Sequence, residues 1–490
     1  MLYPAGLRAA VIAAVWASCT LSAPAHAQGS LQPDGWDKDV RLAEAPDRNP
    51  DPHVVEVDLD ARVAPADIAP DQHVEAWTYN GGLPGPLIRA RAGDRLVVHF
   101  SNHLPEATTV HWHGIRVPIQ MDGVPDVSQP PVPAGGTFTY DFVVPDAGLY
   151  WYHPHVMSAA QVGFGLYGAL LVEDPATPVA VADETVLVLS DIGLDGTGGF
   201  EPPDSGGTTG MAFGREGNHL LVNGREHPRL VVRAGAPQRW RVVNAAKSRF
   251  FHLELEGQTF TRIGGDGGLL EYPVSLEALV LAPGERADVI VAPAGAPGSE
   301  IVVRAYPFNR GFGSVEYRAV EDLMTISIAG AAPYSPPAGT LPLAPRRAID
   351  PTSTDGATNV AIDFTIAQRA NGAFEYGING VPFAKNHSVT ARPGETQVWT
   401  ITNKTKWSHP FHLHGFFFQV LDEKGRQVHP LEWKDTVNVP FEQTVRLVVR
   451  YDDRPGNWMF HCHVLDHADG GLMGMVDVGV PPAGHASHGP

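Results

Sequence analysis

Four His-x-His triplets stand in the sequence: His111-Trp112-His113, His153-Pro154-His155, His412-Leu413-His414 and His461-Cys462-His463. The chain carries 22 histidines in 490 residues, and random placement would give roughly one such pair. On a strand, side chains alternate faces, so both imidazoles of a triplet point to one side and can grip one metal ion or an adjacent pair. Four such triplets suit a cluster of ions better than a single ion. Imidazole-rich sites favour copper, zinc, iron or nickel over magnesium or calcium.

A second donor set lies beside the last two triplets. His409, Cys462 and His467 offer two imidazoles and a thiolate, the ligand set of a blue-copper electron-transfer site. On a strand Cys462 points away from His461 and His463, so one tripeptide joins the mononuclear site to the cluster. The other cysteine, Cys19, sits in an expected leader. Cys462 is then left without a disulfide partner, and a lone thiol between two imidazoles reads as a metal ligand.

The elements that must hold these residues show a threefold pattern. An Asn-Gly turn, a glycine and a strand ending on asparagine recur as Asn80-Gly81, Gly93 and Asn102; Asn223-Gly224, Gly235 and Asn244; and Asn379-Gly380, Gly394 and Asn403. Arg95 to Phe100, Arg239 to Val243 and Gln397 to Thr402 alternate or are β-branched, as half-buried sandwich strands are. The pattern predicts a triplicated all-β chain. Two histidine triplets fall in the first repeat and two in the third, which places the cluster at an interdomain seam; the middle repeat has only His252 at the comparable place. Pro-rich connectors place the domains at 50–174, 184–330 and 359–480, with a linker at 331–358 and a tail at 481–490. Gly193 to Gly217 reads as a mobile glycine-rich surface loop. Phe416, Phe417 and Phe418 read as core strand residues.

Composition excludes other classes. Hydrophobic residues are 43% and charged residues 18% of the chain, which argues against disorder, and 52 Gly with 44 Pro argue against long helices. A net charge of -19 repels phosphate backbones, so no nucleic-acid partner is expected. Arg8, the apolar run from Ala9 to Ala23 and Ala25-His26-Ala27 read as a signal peptide over 1–27. No later stretch has 18 or more uninterrupted apolar residues, so no integral membrane segment is expected once the signal is removed. The mature chain is expected to be exported, periplasmic or secreted, and monomeric.

Taken together, His-Trp-His-Gly at 111–114, Trp-Tyr-His-Pro-His at 151–155, His-Pro-Phe-His-Leu-His-Gly at 409–415 and His-Cys-His-x-x-x-His at 461–467 resemble the copper signature of the three-domain multicopper oxidases of laccase type. The likeness extends to Ile263–Asp266 and Ala282–Asp288 of the middle repeat. It implies three cupredoxin-like domains, each a Greek-key β-barrel or sandwich, and four coppers per chain. By the resemblance, His111 and His412 would hold type 2 copper. His113, His153, His155, His414, His461 and His463 would hold the type 3 pair, and His409, Cys462 and His467 type 1. Asp122 falls where the family places an acid beside the cluster and would assist proton delivery to oxygen.

The chain departs from the family pattern in two places. Ten residues beyond Cys462, where bacterial relatives often carry an axial methionine, stands Leu472, with Met473 one position later. A non-coordinating leucine would raise the copper's potential, and a local shift would let Met473 serve instead. After His467 comes Ala468 in place of a second proton-relay acid, leaving Asp466 or Asp469 as substitutes. The implied partners are O2 and a small-molecule or metal-ion electron donor. Phenols and aromatic amines come first; Cu(I) or Fe(II) is the alternative, weakened for Cu(I) because the eight methionines are scattered.

Overall fold

The computed structural model describes residues 40–313, 318–330, 338, 342 and 345–480. The expected signal at 1–27, the tail at 481–490 and most of the linker's first half lie outside the described residues. The strands form six sheets, two for each repeat. Each pair of sheets encloses its own apolar core: around Val98, Phe100, Trp112 and Tyr152 in the first repeat, Trp240, Phe251 and Phe260 in the second, and Trp399, Phe411 and Trp458 in the third. These are antiparallel-rich two-sheet sandwiches of cupredoxin type, as expected.

The recurring asparagines explain why the three repeats fold alike. Asn80, Asn223 and Asn379 take left-handed φ values of 55°, 51° and 53°, followed by glycines at 76°, 78° and 80°. This is the tight-turn conformation that Asn-Gly favours. Each turn asparagine also accepts a backbone N–H from the neighbouring strand, those of Asp60, Val188 and Asp363. The strand-ending asparagines act as internal plugs. Asn102 Nδ2 donates to the carbonyls of Glu106 and Val132, Asn244 Nδ2 to those of Arg249 and Leu281, and Asn403 Nδ2 to those of Trp407 and Val439. Buried backbone oxygens of loops that leave the sheets are thereby satisfied.

Each plugged strand pairs in parallel with the first strand of its repeat: Arg95–Asn102 with Val54–Ala61, Gln238–Asn244 with Asp183–Leu189, and Gln397–Asn403 with Thr358–Phe364. In the first repeat the strand alternates, with Leu96, Val98 and Phe100 buried. In the middle repeat Gln238–Asn244 is buried on both faces. Arg239 and Arg241 on its second face are neutralised by Asp288 and Glu184. The seam between repeats has an apolar cluster of its own, to which the first contributes Trp151 and Ala159, the second Val243 and Ala245, and the third Leu465.

Three short helices lie at the seams: α1 (Ser158–Gly163), α2 (Gly207–Phe213) and α3 (Leu465–Asp469). No helix among the described residues is long and apolar enough to cross a membrane.

Candidate metal centre

Strand parity decides which histidine faces which site. In the first repeat the strand His111–His113 pairs antiparallel with Gly148–His153, setting His111 opposite His153 and His113 opposite Trp151. In the third, His409–Leu413 pairs antiparallel with Gly456–Cys462, setting Phe411 opposite Cys462 and His412 opposite His461. His409 and Phe411 share a face with Cys462, which belongs to the third repeat's core. His412, His414, His461 and His463 point the other way, into the seam facing the first repeat. One sheet thus carries two donor sets on opposite faces.

All eight seam histidines are buried. His155 Nε2 lies 3.4 Å and His414 Nε2 lies 3.1 Å from His461 Nε2, a convergent triad. The rings of His113, His153 and His463 form a second triad, with centroids 4.9–5.8 Å apart. His111 and His412, with centroids 6.0 Å apart, sit between them. His111, His412 and His414 also bring donor atoms within 4.8 Å of one another, so the donor shell is continuous.

The outward nitrogen of most of these rings is already committed. Nδ1 of His111 donates to the Asp122 carbonyl, that of His412 to the Asp435 carbonyl, that of His153 to the Pro154 carbonyl and that of His461 to the Cys462 carbonyl, at 2.6–3.0 Å. His414 Nδ1 donates to the Asp122 carboxylate at 2.9 Å. These bonds fix the tautomer and aim the Nε2 lone pairs inward. His113 is turned over, with Nε2 on Asp435 Oδ1 and Thr436 Oγ1 at 3.2 Å. The inward nitrogens, Nε2 of His111, His153 and His412 and Nδ1 of His113, have no hydrogen-bond partner. Each such buried orphan costs about 1–3 kcal/mol, a cost that metal ligation removes. Burial pushes His414 down to about 3, so at neutral pH its ring is uncharged and free to ligate.

On the other face, His409 Nδ1 and His467 Nδ1 lie 3.0 Å apart, and Cys462 Sγ is 3.4 and 3.7 Å from them. Three soft-to-borderline donors at these separations can share one ion in trigonal fashion. His409 Nε2 is held by Thr405 Oγ1 at 2.6 Å, and Thr405 is itself held by the plug Asn403. Val464 N donates to Cys462 Sγ at 3.4 Å. Burial pushes the thiol upward and takes His409 down to about 3. The thiol therefore ionises only against a cation.

Asp122 is buried in the seam, where burial opposes its charge, yet His414 and His111 hold it well below the usual carboxylate range. Sequence reasoning missed its counterpart Asp435. That carboxylate contacts His113 and pairs with both terminal nitrogens of Arg286, whose guanidinium also lies 3.5 Å from Asp266. Asp266 and Arg286 fall within the middle-repeat segments that carried the family likeness. A charged pair, Lys434-Asp435, at the entrance to the strand Thr436–Val439 was the available signal for the third member.

The structure separates the two axial candidates. Leu472 packs in the cluster that contains Cys462, whereas Met473 belongs to another cluster with Val124, Phe383 and Met459. The two candidate relay acids part as well. Asp466 accepts from Arg215 N and Ser248 Oγ and pairs with the Arg215 guanidinium. Asp469 faces the first repeat, accepting from Ala159 N at 2.9 Å, and burial pushes it up to about 7.

The glycine-rich loop is not the free excursion expected. It carries α2, whose Met211 packs against the third repeat's core and whose Ala212 carbonyl accepts from Tyr376 Oη at 2.6 Å. Tyr376 lies against His467, with ring centroids 4.5 Å apart. Glycine content hid these contacts because they use backbone groups and single side chains, not an apolar period. His252 stands apart from the donors, beside Glu254 and Tyr306. Phe416 and Phe418 are core residues as expected, while Phe417 is only partly buried.

Family models described as multicopper oxidase match residues 62–177, 183–316 and 355–482. The chain is 32% identical over 454 residues to the multicopper oxidase MmcO of Mycobacterium tuberculosis, covering 82% of this chain and 83% of that protein. It is 27% identical over 477 residues to the laccase of Bacillus subtilis, covering 83% of this chain and 90% of that one. Among solved structures, a Campylobacter jejuni multicopper oxidase described as a metallo-oxidase superposes with a TM-score of 0.78 at 28% identity, covering 89% of this chain and 94% of that one.

Proposed function

The chain belongs to the multicopper oxidase family, and from that premise we propose a role for each donor and a class of reductant. His409, Cys462 and His467 hold type 1 copper, and His111 and His412 hold type 2. The triads His155–His414–His461 and His113–His153–His463 each hold one of the type 3 pair. The observation that carries this reading is the convergence of orphaned imidazole nitrogens at the seam with a separate His2Cys set on the opposite face of the same sheet. Bound there, copper supplies one-electron chemistry that couples four donor oxidations to reduction of O2 to two waters.

The chain's own residues do the rest. Cys462 links the two sites covalently through His461 and His463, and its carbonyl accepts from His461 Nδ1 at 2.8 Å, giving the electron a short route. Asp122 keeps protons on the Nδ1 atoms of His414 and His111 and is the carboxylate placed to pass a proton toward oxygen. Asp435 and Thr436 hold His113 and His412 in the same way.

Phenols and aromatic amines are the proposed donors. Leu472, packed with Cys462, supplies no donor atom and favours a high potential. Met211 is the one methionine packed against the cluster around Cys462 among the described residues, and a single thioether is a poor cage for Cu(I). Its sulfur nevertheless approaches Gly470, three residues past His467, which keeps cuprous or ferrous ion as the second reading. All proposed ligands come from one chain, in keeping with a monomer, and the leader pattern at 1–27 supports export to the periplasm or beyond.

Oxygen uptake by copper-loaded protein tests the donor. Uptake driven by a methoxyphenol and abolished in Cys462→Ser supports the phenol reading. Uptake with Cu(I) alone moves the assignment to metal oxidation.

A further inference from the structure

The eight methionines are scattered along the sequence, yet three of them meet beside the seam. Met459 stands directly opposite Met475 on the antiparallel strands Gly456–Cys462 and Met473–Val478, and Met473 stands opposite His461. Opposed residues share a face, so the three methionines lie on the side of the sheet that carries His461 and His463, not on the side that carries Cys462. Directly opposed Cβ atoms on such strands are about 4.5–5.5 Å apart. The three rotatable bonds of each side chain let the sulfurs turn toward one point.

These methionines share one buried cluster with Val124, Phe383 and Ala468, and Val127 packs against it. None of those four neighbours carries a charge or a hard oxygen donor on its side chain. Val124 is two residues past Asp122, which holds His414 through its carboxylate and His111 through its carbonyl. The cluster therefore abuts the imidazole shell from the side of the Asp122 loop. Met459 and Met475 are each 1% exposed, whereas Met473 is 9% exposed and is pinned at the start of its strand by Asn386 Nδ2, which donates to its carbonyl. Met473 is thus both the outermost of the three and the cross-strand neighbour of His461.

We propose that Met459, Met473 and Met475 form a transit site for Cu(I), which their thioether sulfurs hold before it passes to His461 and the other seam imidazoles. The proposal rests on the ligand reading above. All eight seam histidines are buried, so copper entering the folded chain needs donors on its way in. An apolar cage strips an ion of its water, and thioethers alone repay that loss only to a soft ion of low charge, which selects Cu(I) over Cu(II), zinc or magnesium. The transfer exchanges sulfur ligands for nitrogen ligands with no change of oxidation state. Lying on the face away from Cys462, the trio serves loading of the cluster and not oxidation of the donor.

Anaerobic loading of the apoprotein tests this in the triple variant Met459→Leu, Met473→Leu and Met475→Leu, which conserves volume. Uptake from chelator-buffered Cu(I) is stopped at intervals, copper per chain is counted, and the blue band is read after oxidation with ferricyanide. Copper of the seam cluster should enter the variant about tenfold more slowly than the native chain, while the blue band grows at the native rate and loading with Cu(II) is unchanged. Equal Cu(I) uptake by the two chains, or an equal slowing with Cu(II), overturns the proposal. If the triple variant does not fold, Ag(I), a redox-inert soft monocation, is titrated into copper-loaded native protein and followed by the methionine methyl resonances. Signals of Met459, Met473 and Met475 that shift together support the site, and signals that stay unmoved overturn it. Native protein that takes up no copper from either source contradicts the ligand reading itself, a different failure from full loading at rates that ignore the methionines.

Discussion

At the scale of single residues, the centre is built from imidazoles whose second nitrogens are tied down. Asp122 ties two of them, through its carboxylate to His414 and through its carbonyl to His111. Asp122→Ala removes the His414 tie and should cost about 10–100-fold in copper affinity or turnover, while the blue absorption of the separate His2Cys site persists. Loss of the blue band together with turnover would show that Asp122 supports the fold instead. Leu472→Met would add a thioether beside Cys462 and should lower the type 1 potential; a potential that stays or rises would place residue 472 away from the copper. The triplet histidines and Cys462 were legible in the sequence because His-x-His on a strand has one geometric meaning. The choice between Leu472 and Met473 was not, since it depends on how the chain turns between α3 and the strand Met473–Val478.

At the scale of elements, three asparagines do the same work three times. Asn403 satisfies the carbonyls of Trp407 and Val439 and accepts from Thr405 N, so it also supports the loop that delivers His409. Asn403→Ala leaves those groups buried and unpaired and should destabilise the protein by about 2–3 kcal/mol. Chemical denaturation measures the loss, and a native-like midpoint would show that the loop holds without its plug. The asparagine pattern made the triplication readable, because tight turns and buried carbonyls demand that residue type. The role of α2 could not be read, since a glycine-rich stretch looks alike whether it is solvated or laid over His467 and Tyr376.

At the scale of the whole molecule, the middle repeat acts as a clamp. Arg286 from its strand Arg286–Val291 reaches Asp435 of the third repeat, beside His113 of the first. Arg286→Met strands Asp435 as an uncompensated buried charge, while Asp266 keeps Lys434 at 3.3 Å, and should cost about 3–5 kcal/mol, read as an earlier thermal transition and weakened type 2 and type 3 copper. An unaltered transition would mean that the repeats are held together without the Arg286 clamp. This triad was partly hidden in the sequence, because its members are separated by 20 and 149 residues and only folding brings them together. The central claim is that one chain holds two distinct copper sites on opposite faces of one sheet. Copper content of native protein and Cys462→Ser, measured with the blue absorption, tests it directly. The account predicts four coppers per native chain, and three with no blue band in Cys462→Ser. A native chain with fewer than four coppers when fully loaded, or a Cys462→Ser chain that keeps its blue band, would contradict it.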